Sequence, residues 1–171
     1  MKKQAAFTLV ELMVTLALAI ILASFALPNI RSTLLNNRIT TKTNTLVGAI
    51  NYARGEAISR SNSGSIVVVQ PLAADKSWDE GWRVWVDINE NENPDAQDII
   101  KRFDFKNDNI EVSIDTELEY IHYINQGRVR LPSNANQITF TICHTDYERG
   151  HQVTILPTGR VRTTRFECPS S

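Results

Sequence analysis

The chain has 171 residues and a formal net charge of −1 at pH 7. This length allows one globular domain and an anchor, and it excludes two large independent domains. The charge is uneven: residues 75–119 carry fourteen Asp and Glu against five Lys and Arg, whereas residues 120–171 carry three against six. We therefore expect an acidic surface and a separate basic surface.

The first 30 residues predict a membrane-spanning helix with one charge inside it. Lys2 and Lys3 precede an apolar run that reaches Pro28 and contains no charge except Glu11. A carboxylate in hydrocarbon costs several kcal/mol, so Glu11 implies a partner. One alternative is a secretory signal peptide, whose cleavage site follows the apolar core and could lie at residues 23–26. Another is a plain membrane anchor, which would leave Glu11 unexplained.

The order of Ala6, Phe7 and Glu11 after the basic leader resembles the amino terminus of type IV pilins and of type II secretion pseudopilins. The resemblance implies that prepilin peptidase cleaves between Ala6 and Phe7 and methylates the new amine of Phe7. Glu11 would then pair with the amine of a neighbouring pilin subunit. It also implies a single-pass protein of the bacterial inner membrane with a periplasmic domain, which later joins a cell-surface pilus. The family usually has Gly where this chain has Ala6.

Apolar residues continue beyond Pro28 at helical spacing and predict one long helix over residues 8–61, kinked at Pro28. Asn62 or Gly64 would end this helix. The apolar stripe should pack on the globular domain: Leu35, Ile39, Leu46, Ile50, Ala53, Ala57. The charged residues are expected on the other faces: Arg31, Arg38, Lys42, Arg54, Arg60.

After Gly64 the apolar period changes to two, which predicts a mostly β domain. The candidate strands are separated by turn residues: 65–71, 82–88, 99–105, 110–114, 120–125, 137–144, 152–156, 161–166. The fold class is α+β, with one long amino-terminal helix packed on a carboxyl-terminal antiparallel β-rich domain. We divide the chain into a leader, a membrane or filament-core helix, an amphipathic helical half and a β-rich domain: 1–6, 7–30, 31–62, 63–171.

The two cysteines, Cys143 and Cys168, both follow the anchor and so lie on the exported side, where a disulfide is expected. A zinc site that also uses His144 and His151 is the alternative. Adjacent residues on a strand point to opposite faces, which disfavours Cys143 and His144 as joint ligands. We expect no resident metal and no cofactor.

Two further patterns have structural explanations. Trp78, Trp82 and Trp85 are expected in the core. Residues 87–98 carry side-chain oxygens at alternate positions, as a calcium loop does, but the sixth and twelfth residues are Glu92 and Asp98 rather than Gly and Glu. A solvated acidic hairpin is the preferred interpretation, and calcium stays open. The chain shows no catalytic motif, and we do not expect an enzyme.

The basic carboxyl-terminal region contains a repeated tetrapeptide, Gly-Arg-Val-Arg, at residues 127–130 and 159–162. In a strand the two arginines of each copy share a face. Arginine binds phosphate with two parallel hydrogen bonds, and Phe166 or Tyr147 could stack on bases. Charged residues that protect a strand edge are the alternative. The candidate DNA-binding residues are Arg160, Arg162, Gly159, Arg165, Arg149, Arg128 and Arg130.

The exported part also resembles the GspH/FimT/FimU group of minor pilins. Residues 52–57 resemble a Tyr-Ala-Arg-Ser-Glu-Ala helix motif with Gly55 in place of Ser, and residues 78–87 and 158–162 resemble its Trp hairpin and late turn. FimT-like members bind DNA during natural transformation through a Gly-Arg-x-Arg motif, which Gly159, Arg160 and Arg162 match. This implies a DNA-binding minor pilin. The alternative is a structural minor pilin or pseudopilin that initiates or stabilises a filament without touching DNA.

Overall fold

The computed structural model describes residues 7–88, 94, 98–105, 109–116, 118, 120–133 and 135–169, without the side chains of residues 25–29. Two compact units divide the chain, one ending at Leu35 and the other beginning at Asn36. The first unit is helical from Leu9 to Leu35. The second contains the rest of that helix and all the described strands.

Helix α1 spans Leu9–Ser59, close to the predicted range of 8–61. Its start has a local cause, because the backbone N–H of Glu11 donates to Thr8 Oγ1 at 3.2 Å, so Thr8 acts as a side-chain N-cap. A turn over residues 60–64 follows its end, and Gly64 there has a φ of 72°. The helix is continuous through Pro28, and the kink there stays a prediction. Within the described residues no helical stretch combines the length and the hydropathy of a membrane span.

Nine described strands form two antiparallel sheets. The first sheet has the order β3-β2-β1-β5-β6, with β1 Ile66–Pro71, β2 Gly81–Asp87, β3 Ile99–Asp104, β5 Ile121–Ile124 and β6 Arg128–Val129. The second has the order β4-β7-β8-β9, with β4 Ile110–Ile114, β7 Ile138–His144, β8 Tyr147–Ile155 and β9 Val161–Glu167. The α+β class predicted from the sequence is therefore confirmed.

One hydrophobic core joins the second half of α1 to both sheets. The helix contributes its predicted stripe from Ile39 onward, and Trp78, Trp82 and Phe140 are the large aromatic members from the β domain. The rings of Trp78 and Phe140 meet edge to face, with centroids 4.8 Å apart. Trp85 is also buried, but the strand alternation turns it to the opposite face of β2 from Trp82.

Lys42 was expected on a helix face outside the apolar stripe, but it is buried. Its ammonium group donates to the carbonyl oxygens of Asp79 at 2.8 Å and of Ile110 at 3.0 Å. These carbonyls lie just before β2 and in β4, so the side chain connects the helix to both sheets. A buried ammonium group needs such acceptors, because an unsatisfied buried charge is costly.

Candidate nucleic-acid interface

The two Gly-Arg-Val-Arg segments lie side by side, although 32 positions separate them in the sequence. We call residues 127–130 and 159–162 the paired turns. Gly127 and Gly159 are both buried, with φ values of 69° and 73°, and a Cβ placed on Gly159 would collide with the carbonyl oxygen of Gly127. The N–H of Val129 donates to the carbonyl of Pro157 at 3.1 Å. The end of one sheet therefore joins a turn of the other.

In each of the paired turns the valine packs against the core and the arginines are exposed. Val129 is 6% exposed and Val161 packs against the same core. The side chains on either side of each valine point outward, as the strand alternation requires, and all four are exposed: Arg128, Arg130, Arg160, Arg162. Two arginines on one face of a strand are about 6.6 Å apart, which equals about two base-pair rises along the axis of duplex DNA.

Arg54 and Ile58 from α1 and Tyr123 from β5 lie against the two glycines of the paired turns. Arg54 Nε donates to the carbonyl oxygen of Gly127 at 3.3 Å. A Cβ on Gly159 would lie 3.0 Å from Tyr123 Cε1 and 3.2 Å from Arg54 Cδ. Burial raises the pKa of Tyr123 well above its usual value, although the charge of Arg54 opposes that rise. The phenol is therefore neutral at physiological pH.

Arg149 and Arg165 do not join the paired turns. In the register of β8 and β9, Arg165 lies opposite His151 and Arg149 lies opposite Glu167, near the end of this strand pair that is far from the paired turns. Arg165 is three residues from Arg162, about 10 Å along the strand, and points to the opposite face. Burial and the positive charge of Arg165 lower the pKa of His151. The predicted arginine patch is thus divided into two groups.

Of the two aromatic residues considered for base stacking, Tyr147 packs partly against the core. Phe166 is half-buried on the same face of β9 as Arg162, four residues further along the chain. Of these two aromatic residues, only Phe166 therefore lies on the same face of the sheet as Arg162.

The predicted disulfide between Cys143 and Cys168 is present, with a Cα–Cα distance of 5.9 Å. It joins the end of β7 to the residue after β9 and passes over Gly150 of β8, where a Cβ would lie 3.0 Å from Cys143 Sγ. Both thiols are consumed, so the zinc alternative is wrong. Among the described residues, no cluster of His, Cys, Asp and Glu is arranged to hold a metal ion.

Some predicted sites fall outside the described residues. Ala6 does, as do residues 89–93 and 95–97 of the possible calcium loop. Phe7 and Glu11 are described, and both are exposed in the amino-terminal unit. The cleavage, methylation and pairing roles assigned to these residues stay predictions.

Arg54 is the residue of this site that the sequence analysis missed. It was placed on a helix face away from the domain, because its apolar neighbours Ala53 and Ala57 define the buried stripe. The resemblance of residues 52–57 to a family motif was the available signal. The sequence contains nothing that connects Arg54 with Gly127, 73 positions away.

Comparison with known proteins shows the family of the chain. Residues 1–27 match the prokaryotic N-terminal methylation motif. The structure is similar to the type IV minor pilin FimU of Pseudomonas aeruginosa PAO1 in two crystal forms. The P21 form has a TM-score of 0.59 and 22% identity over 75% of this chain and 90% of that chain. The P65 form has a TM-score of 0.56 and 22% identity over 73% and 91%.

At this identity the likeness to FimU concerns the fold, which is that of a type IV pilin. No curated protein gives a significant match to the sequence. The family described as type II transport protein GspH matches residues 42–159, a region that ends just before Arg160. Because this match covers more than half of the chain, the protein belongs to the GspH family of pilin-like proteins.

Proposed function

We propose that this GspH-family subunit is a minor pilin of a type IV pilus that binds DNA during uptake in natural transformation. The observation that carries the proposal is the adjacency of the paired turns, which gathers four exposed arginines with no acidic residue in either tetrapeptide. Guanidinium groups are suited to phosphate oxygens because their planar fork donates two hydrogen bonds at once.

Binding of this kind is independent of base sequence, because phosphate contacts carry no sequence information. The remainder of the domain is acidic in residues 75–119, which repels DNA and restricts contact to the basic end. With four phosphate contacts, the logarithm of the affinity should fall with the logarithm of salt concentration with a slope of about −3 to −4. Arg165 and Arg149 stand apart and would contribute less.

A titration tests this proposal. The full chain in a non-ionic detergent is titrated with fluorescent duplex and single-stranded DNA at several salt concentrations between about 50 and 200 mM. The double variant Arg160→Gln/Arg162→Gln should bind more weakly, with the salt slope reduced by about 2. Equal binding by wild type and variant, or no binding by either at low salt, would reject DNA recognition by these arginines.

The second candidate is a structural minor pilin or pseudopilin without DNA binding. The methylation motif and the exposed apolar side chains of the amino-terminal unit, such as Leu9, Met13 and Leu16, favour filament assembly under either function. In this case the exposed arginines would meet an acidic neighbouring subunit. Filament assembly would then depend on Arg160 and Arg162, whereas under the leading proposal the double variant assembles normally.

A further inference from the structure

Arg54 contacts both of the paired turns from the helix below them. Its Nε donates to the carbonyl oxygen of Gly127 at 3.3 Å. Its stem fills the space beside both glycines, with Cγ 2.9 Å from a Cβ position on Gly127 and Cδ 3.2 Å from one on Gly159.

The carbonyl oxygen of Gly127 has two neighbours that matter. It accepts the hydrogen bond from Arg54, and it is the atom nearest to the position that a Cβ on Gly159 would occupy. A change in the direction of this carbonyl would therefore move the second turn relative to the first. The hydrogen bond between Val129 N–H and Pro157 O spans the same junction.

We infer that Arg54 is a positioning residue, which sets the distance between the two arginine pairs without itself contacting phosphate. This inference rests on the proposed DNA binding. Arg54 is half-buried and directed into the junction, whereas the four arginines of the paired turns are exposed. A rigid arrangement of these arginines lowers the entropy lost when DNA binds.

Two substitutions of Arg54 separate its hydrogen bond from its charge. Gln places its amide nitrogen where Arg has Nε, so Arg54→Gln retains the donor to Gly127 and loses the charge. Met is as long as Gln but has no donor, so Arg54→Met loses both the hydrogen bond and the charge. Arg60→Gln is the matched control, since Arg60 lies six residues further along and is paired with Glu56 at 3.0 Å.

The full chain is titrated in detergent with duplex DNA, in parallel with the Arg160→Gln/Arg162→Gln variant. We expect Arg54→Met to bind about fivefold more weakly than Arg54→Gln, the factor that corresponds to one net hydrogen bond. Arg54→Gln should lose no more affinity than Arg60→Gln. The salt slope should be the same for Arg54→Met and Arg54→Gln. If Gln and Met weaken binding equally and each lowers the slope by about 1 relative to Arg60→Gln, then Arg54 is a phosphate contact and the inference is wrong.

Hydrogen exchange measured by mass spectrometry gives a readout that does not need DNA. Arg54→Met should accelerate exchange in the peptide containing Val129, because the junction loosens, whereas Arg54→Gln should exchange as wild type does. Unchanged exchange in Arg54→Met would overturn the inference even if DNA binds. Absence of DNA binding by wild type would reject the proposed function, and the exchange comparison would then decide the positioning role alone.

Discussion

Replacing Gly159 by Ala should destabilise the protein by about 2 to 5 kcal/mol. The φ of 73° at this position is in the left-handed region, which costs a residue with a Cβ about 1 to 2 kcal/mol. The new Cβ would also collide with the carbonyl oxygen of Gly127 and lie 3.0 Å from Tyr123 Cε1. Forcing an extra methyl group into such a junction costs about 1 to 3 kcal/mol more.

Thermal unfolding followed by circular dichroism measures this effect, and each kcal/mol should lower the Tm by about 2 to 4 °C. Gly48→Ala is the matched control, because a Cβ there has nothing within 4 Å and the position is helical. That control should raise stability by about 0.5 to 1 kcal/mol. A Gly159→Ala variant as stable as wild type would refute the close contact between the paired turns.

Three further predictions concern other parts of the chain. Replacing both Cys143 and Cys168 by Ser should lower the free energy of unfolding by about 3 to 4 kcal/mol, measured by urea denaturation; no change would contradict a stabilising disulfide. The lowered pKa of His151 means that the unfolded chain binds more protons below about pH 6.5, so stability should fall as the pH drops below that value. This fall should be smaller in His151→Gln by urea unfolding at two pH values, and an equal fall would exclude His151 as its source. Ala6→Leu should leave an uncleaved precursor by mass spectrometry, and a normally matured product would refute the cleavage assignment.

The sequence was sufficient to predict the main elements because their signals are local. The apolar period of α1 and the alternation of most strands predicted elements within a few residues of their bounds. Two errors occurred where the local signal is weak. The two-residue strand β6 was not predicted, and β8 begins at Tyr147 rather than at residue 152, since the residues between are polar and lack alternation.

The site was predicted in its residues but not in its arrangement. Alternation about Val129 and Val161 was enough to place the arginines of each tetrapeptide on one face. Their adjacency depends on how the two sheets meet, which is a non-local property. Arg165 was grouped with Arg162 by closeness in sequence, yet an odd spacing of three sends it to the other face. Lys42 was placed on a face outside the apolar stripe, because the carbonyls that accept its hydrogen bonds come from distant segments.

The most direct test of DNA binding at the paired turns compares two double variants of equal charge. Arg160→Gln/Arg162→Gln removes two arginines from the paired turns, and Arg149→Gln/Arg165→Gln removes two from the other end of β8 and β9. If DNA binds at the paired turns, the first variant should lower the salt slope of duplex binding by about 2, and the second should leave it nearly unchanged. Equal reductions in the two variants would contradict DNA binding at the paired turns, because binding would then depend on net charge rather than on the position of the arginines.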